Sequence, residues 1–113
     1  QDGWIALKIL TNDCYGTEHD IFEIEILRTI TREQNRQDQP NGAHVLGLWD
    51  TFQLTGPNGR HECLVLPVLG CTLGVHAWRF VQRRIPSRIM KGITRQLLIG
   101  LAFLHERCRV VHT

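Results

Sequence analysis

Apolar residues fall at positions 89, 93, 97, 101 and 104, with Leu98 alongside. Steps of four, four, four and three are the repeat of a helix face, whereas a strand alternates at every second residue. The spacing predicts a helix of about five turns, opened by Ser87 directly after Ile85-Pro86. Arg107 and Arg109 fall near its C-terminal end, where the backbone dipole favours cations. Gly92 and Gly100, eight residues apart on it, are expected to permit close packing. Leu73 to Arg83 predicts a shorter helix before it, and Val110-Val111 reads as a new short strand.

Upstream the period shortens. Trp4 to Leu10 is rich in β-formers and bounded by Gly3 and Thr11-Asn12-Asp13, which predicts a strand. Alternation puts Ala6 and Lys8 on one face and Ile5, Leu7 and Ile9 on the other, so the wholly apolar second face is expected on the core. From about Asp20 to Glu33 the period is helical, with Phe22, Ile26 and Ile30 every fourth residue, Leu27 beside them, and a weak cap in Thr17 and Asp20. Val45 to Leu54 and His61 to Val68 read as strands, and the turn-rich connection Thr55 to Arg60 pairs them as an antiparallel hairpin. The expected fold class is α+β: a three-stranded antiparallel sheet with one helix, then a helical segment.

Composition excludes several classes of function. Thirteen Lys and Arg against eleven Asp and Glu leave a net charge of +2, too little to imply nucleic acid or a membrane surface. The longest apolar stretch, Leu64 to Cys71, contains Pro67 and Gly70 and is far too short to span a bilayer. Cysteines at 14, 63, 71 and 108 show no CxxC spacing, which points to reduced thiols in an intracellular protein. His19, His44, His61, His76 and His105 lack metal-ligand spacing. The arginines around Pro86 read as a solvated helix face and loop. Gln1-Asp2-Gly3 lacks the look of a signal peptide, and the absence of an initial Met suggests a fragment or processed product.

Lys8 alone reads as a lysine that snorkels to solvent, and Glu23 alone as a boundary carboxylate. Together they mean more. A lysine on a strand face and a glutamate on the following helix can meet as an ion pair. Such pairs are weak evidence for stability and are often kept for positioning. The residues themselves lead to an anion-binding lysine held by a carboxylate.

At this point the sequence resembles the protein kinases. Ile5-Ala6-Leu7-Lys8 is similar to their V-A-I-K strand and Glu23-Ile24-Glu25-Ile26-Leu27 to the helix that follows. Cys63 to Gly70 resembles their fifth strand and hinge, Ile93 to His105 the first long helix of the large lobe, and Val110-Val111-His112-Thr113 the approach to the catalytic loop. Most kinases read His-Arg-Asp there. The kinases of serine/arginine-rich splicing factors read His-Thr-Asp, which His112-Thr113 resembles, as the Thr55 to His61 turn and Val68-Leu69-Gly70 resemble that group's fungal members.

The resemblance implies a partial small lobe and hinge over residues 1–70 and the start of the large lobe over 71–113. It implies ATP and Mg²⁺ as cofactors, arginine/serine-rich proteins as substrates and a role in mRNA splicing regulation, with no direct contact to nucleic acid or membrane. Lys8 would hold the α- and β-phosphates, Glu23 would orient Lys8, Ala6 would lie over adenine and Leu66 would be the gatekeeper. The carbonyl of Pro67 and the backbone of Leu69 would address the adenine edge, and His112 would be the structural histidine of the catalytic loop. Pro67 replaces the glutamate usual in the family, keeping a carbonyl but no N–H. No G-x-G-x-x-G occurs, and the sequence stops at Thr113, ahead of the catalytic aspartate and metal ligands. This chain alone is therefore expected not to transfer phosphate, since each missing part lowers the barrier directly. The alternative is a non-catalytic interaction module that retains part of a kinase lobe.

Overall fold

Three short strands make one antiparallel sheet with its longest strand in the middle. The computed structural model describes residues 3–11, 22–36 and 40–111. Strand β1 (Ile5–Ile9) and strand β2 (Asp50–Gly56) flank strand β3 (Gly59–Pro67), in the order β1-β3-β2. Gly56 pairs with Gly59 across a two-residue turn, and Gly59 has φ 110°, a conformation that glycine adopts without a Cβ penalty. Helix α1 (Glu23–Gln34) follows β1, and helices α2 (Leu73–Ala77) and α3 (Ser87–Phe103) follow the sheet. A single π turn, Leu104–Cys108, extends α3. The expected α+β arrangement of three antiparallel strands with helices is present. The expected cap at Thr17 and Asp20 lies outside the described residues, as does Cys14.

The core lies on the opposite sheet face from the one expected. Ala6 pairs with Leu66 and Lys8 with Leu64, and directly opposed residues share a face. Leu64 and Leu66 are buried there with Leu10, Leu27 and Leu48, while Ile5, Leu7 and Ile9 are half exposed on the other side. Helix α1 decides this, because it packs over the Ala6–Lys8 face. Its own stripe is also rotated from the expected one. Leu27 and Ile30 are buried, and Phe22 and Ile26 are exposed. The reason is that α1 serves two cores: Ile24 and Leu27 face the sheet, while Ile30 joins Phe103 and Cys108 in a second cluster.

Other boundaries moved too. Val45 to Trp49 is not strand, because Gln34 and Thr31 bind the Val45 carbonyl and the Leu48 N–H that a ladder would need. The single helix expected over Leu73 to Arg83 is broken: Phe80 is extended, and Gln82 and Arg83 have φ of 56° and 55°. No residue of α2 or of the turn Val81–Arg83 is buried, so no packed stripe holds a continuous helix. The Arg83 guanidinium lies 3.5 Å over the Trp78 ring instead. Val110 and Val111 form no strand; the Val110 N–H donates to the Leu104 carbonyl at 3.0 Å and closes the π turn. A Cβ on Gly100 would sit 3.4 Å from the His44 carbonyl oxygen, as close packing requires, whereas Gly92 faces open space.

The long stripe of α3 is largely uncovered, with Ile89, Leu97, Leu98 and Leu101 exposed. The radius of gyration is 17.1 Å, against about 13 Å for a self-contained domain of this length. Replacing the buried Phe103 by Ala should therefore cost about 3–5 kcal/mol, and the same change at half-exposed Leu7 no more than about 0.5 kcal/mol. Chemical denaturation distinguishes the two.

Cys108 supplies a pH-dependent test of the second core. Burial pushes its thiol above the ordinary range, the nearby Glu33 carboxylate pushes the same way, and Arg32 opposes them. The unfolded thiol therefore ionises first as pH rises. Stability that is intact below the ordinary thiol pKa falls above it, until the folded thiol also ionises. Denaturation midpoints should drop on the alkaline side for the parent chain and drop less for Cys108→Ala.

Candidate functional site

Strand β1 presents Lys8 to the same side as the core, and the first residue of α1 meets it. Lys8 Nζ donates to Glu23 Oε1 at 2.6 Å, a short charge-assisted hydrogen bond. Glu23 stands in the first turn of α1, where the helix dipole favours an anion. The lysine side chain is 52% exposed and the glutamate 29%. An ion pair this open contributes about 0–1 kcal/mol, so stability does not account for it. An ammonium has three N–H donors, and among the described residues Glu23 takes one. The contact holds the ammonium at the first turn of α1.

Ala6 stands two residues before Lys8 on the same face, directly across from Leu66. Leu66 is buried in the sheet core and Ala6 is packed against that core. The structure thus groups Lys8, Glu23, Ala6 and Leu66 on one side of the sheet. Pro67 ends β3 opposite Ile5, and Leu69 lies exposed beyond it. Their side chains line a cavity of about 450 Å³ with Val45, Leu46, Ile93 and Leu97, to which neither Lys8 nor Ala6 contributes. His112 lies outside the described residues.

Two residues of this region escaped the sequence reading. The Thr31 hydroxyl donates to the Leu27 carbonyl at 2.9 Å and accepts from the Leu48 N–H at 2.8 Å. The Gln34 amide donates to the carbonyls of Gly42 and Val45 at 2.8 and 2.7 Å. They fasten the C-terminal half of α1 to the segment that enters β2, where the Trp49 N–H continues to the Val65 carbonyl of β3. Glu33 is the buried carboxylate of the same helix, paired with Arg36 at 3.2 Å and with Arg32 at 3.9 Å. Positions 27, 31 and 34 share a helix face, a signal visible in the sequence, but their backbone partners are not. Among the described residues, no group of three or more His, Cys, Asp or Glu is placed to hold a metal ion. No described helix is long and apolar enough to cross a membrane.

No protein-family model matches the chain. Whole-chain comparison is decisive instead. Serine/threonine-protein kinase SKY1 of Saccharomyces cerevisiae is 38% identical over 110 residues, 96% of this chain. Protein kinase dsk1 of Schizosaccharomyces pombe is 37% identical over 109 residues, also 96% of it. SRSF protein kinase 3 of Homo sapiens is 34% identical over 110 residues, 97% of it. This chain belongs to the SR-protein kinase family. It spans 15%, 20% and 19% of those three relatives respectively. Within the family's serine/threonine kinases, the resemblance seen at the Lys8 strand and the Glu23 helix thus extends along nearly all of the chain.

Thr31→Val keeps the shape of the side chain but leaves the Leu48 N–H without its acceptor, which should cost about 1–3 kcal/mol. Gln34→Ala, which takes the side-chain donor from the Val45 carbonyl and leaves the Gly42 carbonyl only the Val45 N–H at 3.3 Å, should cost a similar amount. Denaturant titration measures both. Hydrogen exchange should show faster exchange at Leu48 in Thr31→Val, ahead of the β3 amides.

Proposed function

We propose that this chain forms part of an ATP-dependent serine/threonine protein kinase acting on arginine/serine-rich proteins inside the cell, in the cytoplasm or nucleus. Residues 1–70 would be the partial small lobe and hinge, and 71–113 the start of the large lobe. The observation that carries this reading is the 2.6 Å contact between Lys8 and Glu23. It puts a half-exposed ammonium, with donors to spare, where polyphosphate oxygens can receive them.

The chain's own residues then divide the work. Lys8 neutralises charge on the α- and β-phosphates, and Glu23 keeps the ammonium from rotating away. Ala6 is small enough to let a flat purine lie against the strand, and Leu66 closes the space behind it. The Pro67 carbonyl accepts from the adenine edge, and the Leu69 backbone supplies a donor and an acceptor. His112 braces the catalytic loop. ATP supplies the transferable phosphoryl group, and phosphoryl transfer is chiefly positioning and charge stabilisation. Mg²⁺ is assigned to no residue of this chain, since no described cluster fits it.

The chain has only two lysines, Lys8 and Lys91, which makes a direct test possible. An acyl-phosphate derivative of ATP bound there transfers its acyl group to the deprotonated amine of the lysine at its phosphates, breaking the acyl–oxygen bond and releasing ATP. Mass spectrometry should find Lys8 acylated in preference to Lys91, with the excess removed by millimolar ATP and by Glu23→Gln. Equal acylation of both lysines, unaffected by ATP, would refute the nucleotide site.

A further inference from the structure

The chain contains one serine, Ser87, and it is the first residue of α3. Arg83 and Arg84 stand four and three residues before it, and Arg88 follows it. From Cys63 to His105 there are six cations, Arg79, Arg83, Arg84, Arg88, Lys91 and Arg95, and no carboxylate. The field around Ser87 is therefore positive although the whole chain is nearly neutral. Thr11, Thr31 and Thr94 also follow a cation by three residues, but only Ser87 has arginine at both three and four. The Thr31 and Thr94 hydroxyls are already committed inside helices, to the Leu27 carbonyl at 2.9 Å and the Met90 carbonyl at 2.8 Å.

Ser87 is exposed, as are Arg83, Arg84, Pro86 and Arg88. The approach to it is extended, with Arg84 at φ −110° and ψ 117° and Pro86 at φ −53° and ψ 141°. An enzyme that grips an extended substrate can read Arg84 there with little rearrangement. The start of α3 also opens easily. Its N-cap, Pro86, supplies no side-chain acceptor, and its first turn holds no acidic residue. The first ladder bond runs from the Met90 N–H to the Pro86 carbonyl at 2.9 Å, so the N–H groups of Ser87, Arg88 and Ile89 precede it. A helix end held this lightly frays at small cost.

We propose that Ser87 is a phosphorylation site for an arginine-directed serine kinase, and that its phosphate caps α3. In the transfer, Ser87 Oγ bonds to the γ-phosphorus of ATP as the bond from that phosphorus to the β–γ bridging oxygen breaks. ADP leaves, and the hydroxyl proton passes to the basic carboxylate of the modifying kinase. The product places about −1.5 to −2 of charge on the first residue of α3. There it meets the positive end of the helix dipole and the uncapped amides. Lys91 lies one turn on and borders the same hollow as Ser87. An anion four residues before a cation is the favourable order on a helix. Among the described residues, Arg84, Arg88 and Lys91 have no ion-pair partner, so each can turn to the phosphate. The stripe that the remainder of a larger lobe can cover is Ile89, Ile93, Leu97 and Leu101, whereas Ser87, Lys91 and Arg95 run along another line of the helix. Covering that line would take cations out of water, a cost that packing on the stripe does not incur. The site does not depend on the nucleotide reading above.

The test incubates the 113-residue chain with ATP and a calmodulin-dependent kinase, which reads arginine three residues before its acceptor, activated by calcium and calmodulin. Mass spectrometry should find one phosphoryl group, on Ser87, and none in Ser87→Ala. Arg83→Ala with Arg84→Ala should slow incorporation at least about tenfold. Hydrogen exchange at the Arg88 and Ile89 amides should slow about threefold on phosphorylation, and by less in Lys91→Gln or at high salt. A synthetic peptide of residues 78–91 gives the rate for an open chain. Phosphorylation of that peptide while the folded chain is refused would overturn the site. So would transfer first to Thr11, Thr31 or Thr94, or incorporation that survives loss of both arginines. Unchanged exchange in the phosphorylated first turn would overturn the cap.

Discussion

Everything at the candidate site depends on how α1 is held. Its first residue carries the carboxylate that meets Lys8, yet its firmest attachments lie at the other end. Thr31 and Gln34 use side-chain hydrogen bonds to tie the helix to Gly42, Val45 and Leu48. That segment is in turn joined to β3 through Trp49 and Val65. Leu27 adds apolar contact to the sheet core and Ile30 to the second cluster. Hydrogen bonds fix register where apolar packing alone tolerates sliding, because they are directional and costly to leave unmade. An ion pair worth little to stability can then be kept at 2.6 Å, because the helix is already placed by other contacts.

The two cores are unequal partners. One lies between sheet and helix and includes the fully buried Leu64 and, on the central strand's other face, the neighbouring Cys63 is also closed off. The other is smaller and centres on Phe103, where α1 meets the end of α3. Beyond it most of α3 has no cover, and its exposed side combines aliphatic residues with cations. A contiguous exposed apolar patch commonly marks a place where something packs. Here the charge pattern adds a sign to that surface, which composition averaged over the chain had hidden.

Much of the site was legible in the sequence. Lys8 and Glu23 stood on elements whose periods are unmistakable, and the resemblance to kinases followed from motifs in order along the chain. The hairpin was equally clear, because Pro57-Asn58-Gly59 permits few other paths. Less legible was which face of β1 would be buried. Apolar content favoured Ile5, Leu7 and Ile9, but the helix settled on the side of Ala6 and Lys8. The first half of the strand expected from Val45 was lost for a related reason, since its backbone groups were taken by side chains distant in sequence, while Asp50 onward formed β2.

Sequence by itself determined the alternation of Ala6 and Lys8, the five-turn stripe of α3, the turn at Gly59 and the family to which these motifs point. Those are local properties, set by backbone geometry and side-chain period. Tertiary structure alone decided that Lys8 and Glu23 would touch and that Thr31 and Gln34 would anchor the helix. Each of these requires groups far apart in the chain to be brought within hydrogen-bonding or packing distance, and no periodicity encodes which groups will meet.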